Sequence, residues 1–266
     1  MSELTVAVSL VTYHNQVEDL ELLMNSFIDE ALEVLFYVWD NSENNDLEPF
    51  FVQFKIVDYH YSGDNIGFGA GHNGNLNRVT FEPDYFLVVN PDIYFEKGTL
   101  SKIVSYANQE KGISQLMPLV KYPDGQLQKL CKQLPTPFDL LIRRFVPFNI
   151  FSGRRAFYEM DDFSYDEVRE IPFLSGCFSL IRMEAMQNVG GYDERFFMYM
   201  EDLDLCRRLK SEGDTIFYPG ATVYHKFEKA SYRSFGLLKA HIISAIKYFN
   251  KYGWWESSGQ KVSEGG

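Results

Sequence analysis

Four short, almost wholly apolar runs punctuate the first third of the chain, and each stops at a cluster of polar side chains. TVAVSLV (5–11), EVLFYVWD (33–40), FKIVDYH (54–60) and DYFLVVNPD (84–92) are rich in β-branched and aromatic residues and too short for core helices. They read as buried strands. Between the first two, DLELLMNSFI (19–28) sets Leu20, Leu23, Met24, Phe27 and Ile28 on one helical face. A helix near 98–109 and a strand near 113–119 continue the alternation. Continuous apolar strands alternating with helices predict an α/β domain with a mostly parallel sheet. Such sheets bind ligands beyond the carboxyl ends of their strands. Thr12-Tyr13-His14, Asp40-Asn41-Ser42, Asp64-Asn65 and Asn90-Pro91-Asp92 are therefore expected on one rim.

Residues 121–170 break this rhythm with prolines, aromatics and paired arginines, an excursion holding a short amphipathic helix. FLSGCFSLI (173–181) returns to strand, 182–191 and 201–213 read as helices closed by glycine, and 214–225 as a late strand and turn. An amphipathic helix is expected over 231–255, and a polar, glycine-rich tail, expected to be disordered, over 256–266. No linker divides residues 1–255, which read as a single domain.

The formal charge of −12 argues against a general nucleic-acid binder. Three scattered cysteines, Cys131, Cys177 and Cys206, make neither a disulfide framework nor a thiolate zinc site. The first residues lack the basic start and long apolar core of a signal peptide, and no apolar run approaches the roughly 18 residues of a spanning helix. A cytoplasmic protein is expected. Lys121, Lys129, Lys132, Arg143, Arg144, Arg154 and Arg155 gather within the excursion, and Lys226, Lys229, Arg233, Lys239, Lys247 and Lys251 recur near the last helix. Basic, aromatic segments of this kind suit peripheral contact with an anionic leaflet. Completion of the core or a homodimer contact is the competing use of the same apolar faces.

DNIGFGAGHNGN (64–75) contains G-A-G-H-N-G, a formal match to the dinucleotide fingerprint. That fingerprint should follow the first strand and open its helix directly. Here it follows the third strand, which weakens the reading of an NAD(P)-dependent oxidoreductase. Two readings remain: glycines that let a helix pack tightly, or a backbone passing close beneath a ligand at Gly67, with amides from Asn65 and Asn73.

NIGFGAGHN, VVNPDIYF, GGYDERFFMYMEDLDLCRRL and VYH, in that order from about Val6 to His225, resemble the family 2 glycosyltransferases, and among them the rhamnosyltransferase-like branch acting on bacterial polysaccharides. The resemblance implies a GT-A fold that moves a sugar, with inversion, from a nucleotide diphosphate to a saccharide acceptor, free or linked to a polyprenyl diphosphate. It implies dTDP-L-rhamnose as donor, with UDP-galactose or UDP-glucose as the alternative.

Such a transfer needs the leaving diphosphate neutralised and the acceptor hydroxyl deprotonated. Asp92 is the candidate ligand for Mg²⁺ or Mn²⁺, although a turn cap after the strand would also explain it. The usual Asp-x-Asp is altered here, Asn90 standing for the first acid. By resemblance His225 completes the coordination sphere and Asp202 is the general base. Glu201 orients the site or the acceptor, while Asp204 packs or caps. The helix macrodipole alone would account for three acids at a helix start. By resemblance, too, Thr12, Tyr13 and Asp40 meet a pyrimidine base and its ribose, and Gly176 and Cys177 lie beside the donor sugar and acceptor. A carbohydrate-binding protein without activity is the remaining alternative.

Overall fold

The apolar runs become strands because both of their faces are covered. A computed structural model describes residues 4–27, 32–146, 150–226 and 235–254, with the side chains of 143–145 and 235 excepted. Its first half contains β1 (Thr5–Thr12), α1 (Val17–Ser26), β2 (Glu33–Asp40), α2 (Glu48–Phe51), β3 (Val57–Tyr61), α3 (Phe68–Arg78), β4 (Tyr85–Val89), β5 (Ile93–Phe95), α4 (Thr99–Gln109) and β6 (Ile113–Lys121). The second half contains α5 (Pro137–Phe145), α6 (Ser152–Tyr158), β7 (Arg169–Glu170), β8 (Phe178–Arg182), α7 (Met183–Asn188), α8 (Glu201–Leu209), β9 (Asp214–His225) and α9 (Phe235–Tyr252).

Successive residues of β1 serve opposite layers, as the two-residue period of a strand requires. Val6, Val8 and Leu10 join Leu20, Leu23 and Met24 of α1 and Leu100 and Ile103 of α4. Ala7 faces the other way, with Met186 of α7 and Leu205 and Leu209 of α8. A third, smaller cluster joins Phe196, Met200 and Leu203 to Tyr248 and Phe249 of α9.

The sheet order is β3-β2-β1-β4-β8-β6-β9-β5, with β7 on β9. β1, β2, β3 and β4 are parallel, β8 runs against both β4 and β6, and β9 is parallel to β6. The parallel strands therefore present their carboxyl ends on one rim, and the reversed β8 presents its beginning there.

Three expectations change. The fourth strand stops at Val89, so Asp92 stands in the turn between β4 and β5 rather than at a strand tip. The strand expected from residue 173 begins only at Phe178, because the Gly176 N–H turns to the Asp202 carboxylate (3.3 Å) instead of joining a ladder. The excursion holds two helices, not one, closed by an ion pair on a buried acid: Arg154 Nε donates to Asp139 Oδ1 at 2.6 Å, and Thr136 caps α5. The expected helix residues 231–234, Lys229, Trp255 and the tail 256–266 lie outside the described residues.

Candidate active site

The glycine string resolves into packing. Gly67 caps α3 at φ 96°, and a Cβ there would sit 2.3 Å from the Phe197 carbonyl oxygen. Gly69, Gly71 and Gly74 lie within α3, pressed on Tyr192, Val11 and Trp39. Asn75 Nδ2 ties the helix to Ser9 Oγ and to the Leu10 carbonyl, both at 3.0 Å. The Phe197 carbonyl closes on this helix start and accepts the Phe68 N–H at 3.1 Å. Asn73, expected to reach a ligand, is used within the protein. Its Nδ2 donates to the Tyr192 carbonyl and to Glu194, and its Oδ1 accepts from Tyr192 N–H at 2.8 Å. Asn65 Oδ1 accepts from Gly67 N–H at 3.0 Å, shaping the turn before α3.

At the ends of β1 and β2, Tyr13 stands exposed and donates to Glu43, while Thr12 is fully buried with its hydroxyl unpartnered. Asp40, expected to touch the base or ribose, is fully buried. Its Oδ1 takes the Ser42 N–H (3.0 Å) and hydroxyl (2.7 Å), and its Oδ2 the Tyr59 hydroxyl (2.7 Å). Asp40 thereby anchors the 40–42 turn. A cavity of about 190 Å³ opens beside it, lined by His14, Asn15, Gln16, Ser42, Asn44, Asp46 and Leu47. A larger hollow, about 620 Å³, lies between Val17 and Phe54, shares Asp46 with the first, and contains none of Asp40, Asp92, Glu201 and Asp202.

Asp92 and His225 meet because β5 pairs antiparallel with the end of β9, placing Ile93 opposite His225. His225 Nε2 lies 3.2 Å from Asp92 Oδ1 and 3.4 Å from Asn90 Nδ2. The other ring nitrogen, Nδ1, is 3.0 Å from Gln128 Oε1, whose amide Nε2 donates to the His225 carbonyl at 2.7 Å. With Nδ1–H donating to Gln128, Nε2 is the ring nitrogen that faces Asp92 and donates its proton to that carboxylate. Burial would lower the His225 pKa, but Cys177 and Asp92 beside it raise it to about 10. The place is built to hold positive charge. Among the described residues, no three His, Cys, Asp or Glu side chains converge as a metal cluster.

Glu201 and Asp202 open α8 after two successive left-handed residues, Tyr199 (φ 67°) and Met200 (φ 69°). Asp202 is partly exposed; its Oδ1 accepts from Leu203 N–H at 2.8 Å and its Oδ2 from Gly176 N–H at 3.3 Å. Glu201 is buried with Oε2 unpartnered. Burial, and then the charge of Asp202, raises Glu201 to about 8. Burial raises Asp202 as well, against the pull of the Leu203 and Gly176 N–H groups. Gly176 is needed here: a Cβ would lie 3.3 Å from the Asp202 Cβ.

The two acid centres share one edge. Gly176 holds Asp202, and the next residue, Cys177, accepts the Asn90 N–H on its carbonyl at 2.9 Å. Asp202, Gly176–Cys177, Asn90, His225 and Asp92 thus form one connected row at the beginning of β8 and the ends of β4 and β9. Sequence reading missed Gln128, which carries no local signal, and the left-handed pair before α8, since Tyr and Met seldom adopt that conformation.

The model of the glycosyltransferase like family 2 matches residues 33–241. N-acetylglucosaminyl-diphospho-decaprenol L-rhamnosyltransferase of Mycobacterium tuberculosis is 30% identical over 213 residues, 74% of this chain and 68% of that protein. Rhamnosyltransferase WbbL of Escherichia coli K12 is 25% identical over 250 residues, 90% of each chain. Among solved structures, GalNAc-T7 with UDP, GalNAc and Mn²⁺ superposes with a TM-score of 0.65 at 13% identity, over 95% of this chain and 50% of that one. The fold is therefore GT-A, and the chain spans half the length of that structure.

Proposed function

This chain belongs to the glycosyltransferase like family 2, and from that premise we propose that it moves L-rhamnose from dTDP-L-rhamnose to a saccharide acceptor carried on a lipid diphosphate, inverting the anomeric carbon. The observation that carries the reading is the continuous row from Asp202 to Asp92. A base and a cation-holding pair on one rim is the arrangement that in-line displacement requires.

In this reading the acceptor oxygen attacks C1 of the donor sugar and the C1–oxygen bond to the diphosphate breaks. The diphosphate leaves with the bonding pair, and the acceptor proton passes to Asp202. Burial suits Asp202 to this work, because a carboxylate drawn above its ordinary pKa is the better base. Glu201, at about 8, stays protonated near neutrality and donates a hydrogen bond rather than competing for the proton. Tyr13 and the cavity by Ser42 receive the nucleotide, over a turn that Asp40 and Thr12 support from beneath.

Asp92 Oδ1 and His225 Nε2 suit Mn²⁺ or Mg²⁺, which bind through few protein ligands and fill the sphere with phosphate oxygens and water. Held there, such a cation would supply the positive charge that a leaving diphosphate needs. Gln128 fixes the ring that would hold it, as outer partners of metal-bound histidines do. For the lipid part of the acceptor, the proposal points to the apolar side chains Phe138, Leu141, Phe151 and Phe157 of the α5–α6 hairpin, each about half exposed. Pairing of two copies through the same face is the competing use.

A thermal-shift panel of dTDP-L-rhamnose, UDP-galactose, UDP-glucose and NADH, each with and without Mn²⁺, tests the ligand. Stabilisation is expected from dTDP-L-rhamnose with Mn²⁺ and should vanish in Asp92→Ala. UDP-hexose stabilisation in its place would reassign the donor. Asp202→Asn should keep donor binding while transfer falls at least about 100-fold. Near-normal transfer by that variant would remove Asp202 from its role.

A further inference from the structure

Residues 196–200, which launch Glu201 and Asp202, belong to no strand of the sheet. Residues 196–200 cross to α8 through the left-handed pair Tyr199 and Met200, and non-glycine residues keep such a conformation only where their surroundings impose it. The start of α3 supplies one contact, the Phe68 N–H that donates to the Phe197 carbonyl at 3.1 Å, and α9 supplies several more. Ser244 Oγ donates to the Met198 carbonyl at 2.8 Å, and Lys247 Nζ donates to the Arg195 carbonyl. The His241 ring lies 4.9 Å from that of Tyr199, and Tyr248 and Phe249 pack on Phe196, Met200 and Leu203.

The far side of the base is pinned by the same helix. Asp204, two residues beyond Asp202, is fully buried. Its Oδ1 accepts from Lys251 Nζ and, at 2.7 Å, from the Tyr252 hydroxyl; its Oδ2 accepts from Arg208 Nε at 2.7 Å. Lys251 also reaches Asp193 at 2.8 Å, and Arg208 Nη1 donates to the Val189 and Gly191 carbonyls, so the 189–193 turn joins the network. Asp202 stands between two fixed points, Met200 and Asp204, and α9 grips both.

We propose that α9 is a strap that holds the base in line, with Lys251 and Tyr252 as positioning residues acting through Asp204. The inference rests on the reading of Asp202 as general base. It gives the acid at 204 a role other than chemistry, and it assigns function to donors that all lie beyond the family-matched segment. A base displaced by about 1 Å loses on the order of 100-fold in rate, so the strap acts on turnover and leaves donor affinity alone.

The experiment uses the full chain carrying Lys251→Met, Tyr252→Phe, both together, Lys251→Arg and the milder Ser244→Ala. Release of dTDP from dTDP-L-rhamnose with Mn²⁺, donor binding and amide exchange over 198–205 are followed. The double variant should lose about 10- to 100-fold in kcat with donor affinity within about twofold. Its 198–205 amides should exchange faster while those of β1 and β4 stay protected, and Lys251→Arg should recover most of the rate. Unchanged kcat and exchange in the double variant would overturn the strap. So would a joint loss of melting temperature, donor affinity and rate even in Ser244→Ala, which marks a general structural support. If Asp202→Asn turns over normally, the base assignment fails, and the exchange result still judges the strap.

Discussion

Glu201 and Asp202 are neighbours in the chain with different surroundings, and the difference assigns their roles. Asp202 is partly exposed and receives two backbone N–H groups, whereas Glu201 is buried with one oxygen unpartnered. Burial raises both acids, Glu201 to about 8, but the Leu203 and Gly176 N–H groups that donate to Asp202 favour its charged form, so the pair loses its first proton mainly from Asp202. Transfer should rise as Asp202 ionises and fall as Glu201 ionises near pH 8, giving a bell. Glu201→Gln should abolish the alkaline fall, read from the pH profile of kcat; a profile that keeps that limb would assign it elsewhere. Stability carries the matching sign. An acid whose folded pKa exceeds its unfolded value of 4.5 takes stability away as pH rises from there toward 8, so Glu201→Gln should raise the melting temperature at pH 8 and leave it nearly unchanged at pH 4.

Helix α3 shows how an element's sequence can advertise the wrong ligand. Its glycines follow the dinucleotide spacing, yet each is small because something large lies against it: Tyr192 at Gly69, Val11 at Gly71 and Trp39 at Gly74. A Cβ at Gly74 would stand 2.3 Å from Trp39 Cζ3. Alanine would gain about 1 kcal/mol of helix propensity, but overpacking costs about 1–3 kcal/mol. Gly74→Ala should therefore destabilise on balance, seen as a lower midpoint in urea at unchanged slope; a raised midpoint would mean Trp39 moves freely. Elements with a strong period were legible beforehand. β1, β2, α1 and α4 stand within a few residues of their predicted bounds because local pattern and burial agree there. The 173–177 segment was misread as strand because Leu174 and Cys177 are as buried as strand residues, while the Gly176 N–H goes to a side chain 26 positions away. Asp92, Asp202 and His225 were nameable from motif order, but Gln128, Lys251 and Tyr252 act through contacts 47 to 97 residues distant, which no local spacing encodes.

Across the whole molecule, charge and apolar surface divide differently from the expectation of a basic docking face. Arg154 is bound to buried Asp139, Arg155 donates to the Ile142 and Val146 carbonyls, and Lys129 pairs with Asp161, so these cations close the hairpin. The Arg143 and Arg144 side chains lie outside the described residues. Beside the exposed Arg154 and Lys129 the hairpin offers apolar side chains outward, Phe138, Leu141, Phe151 and Phe157, and no described helix is long and apolar enough to cross a membrane. Flotation with phosphatidylglycerol vesicles should therefore depend on apolar residues more than on the arginines. Phe138→Ser, Leu141→Ser and Phe157→Ser together should lower the bound fraction about tenfold or more, and unchanged flotation would assign that face to another use. The reversed strand β8 has a consequence of its own. It lies hydrogen-bonded beside β6, so the polypeptide that departs from the sheet near residue 121 touches it again through β7 on β9 and returns near 178 on the strand next to the one it left. A detour anchored like a handle at both feet can lengthen or shorten at a cost that grows only with the logarithm of its length. The span between these two strands can thus vary in length while the sheet beneath keeps its register.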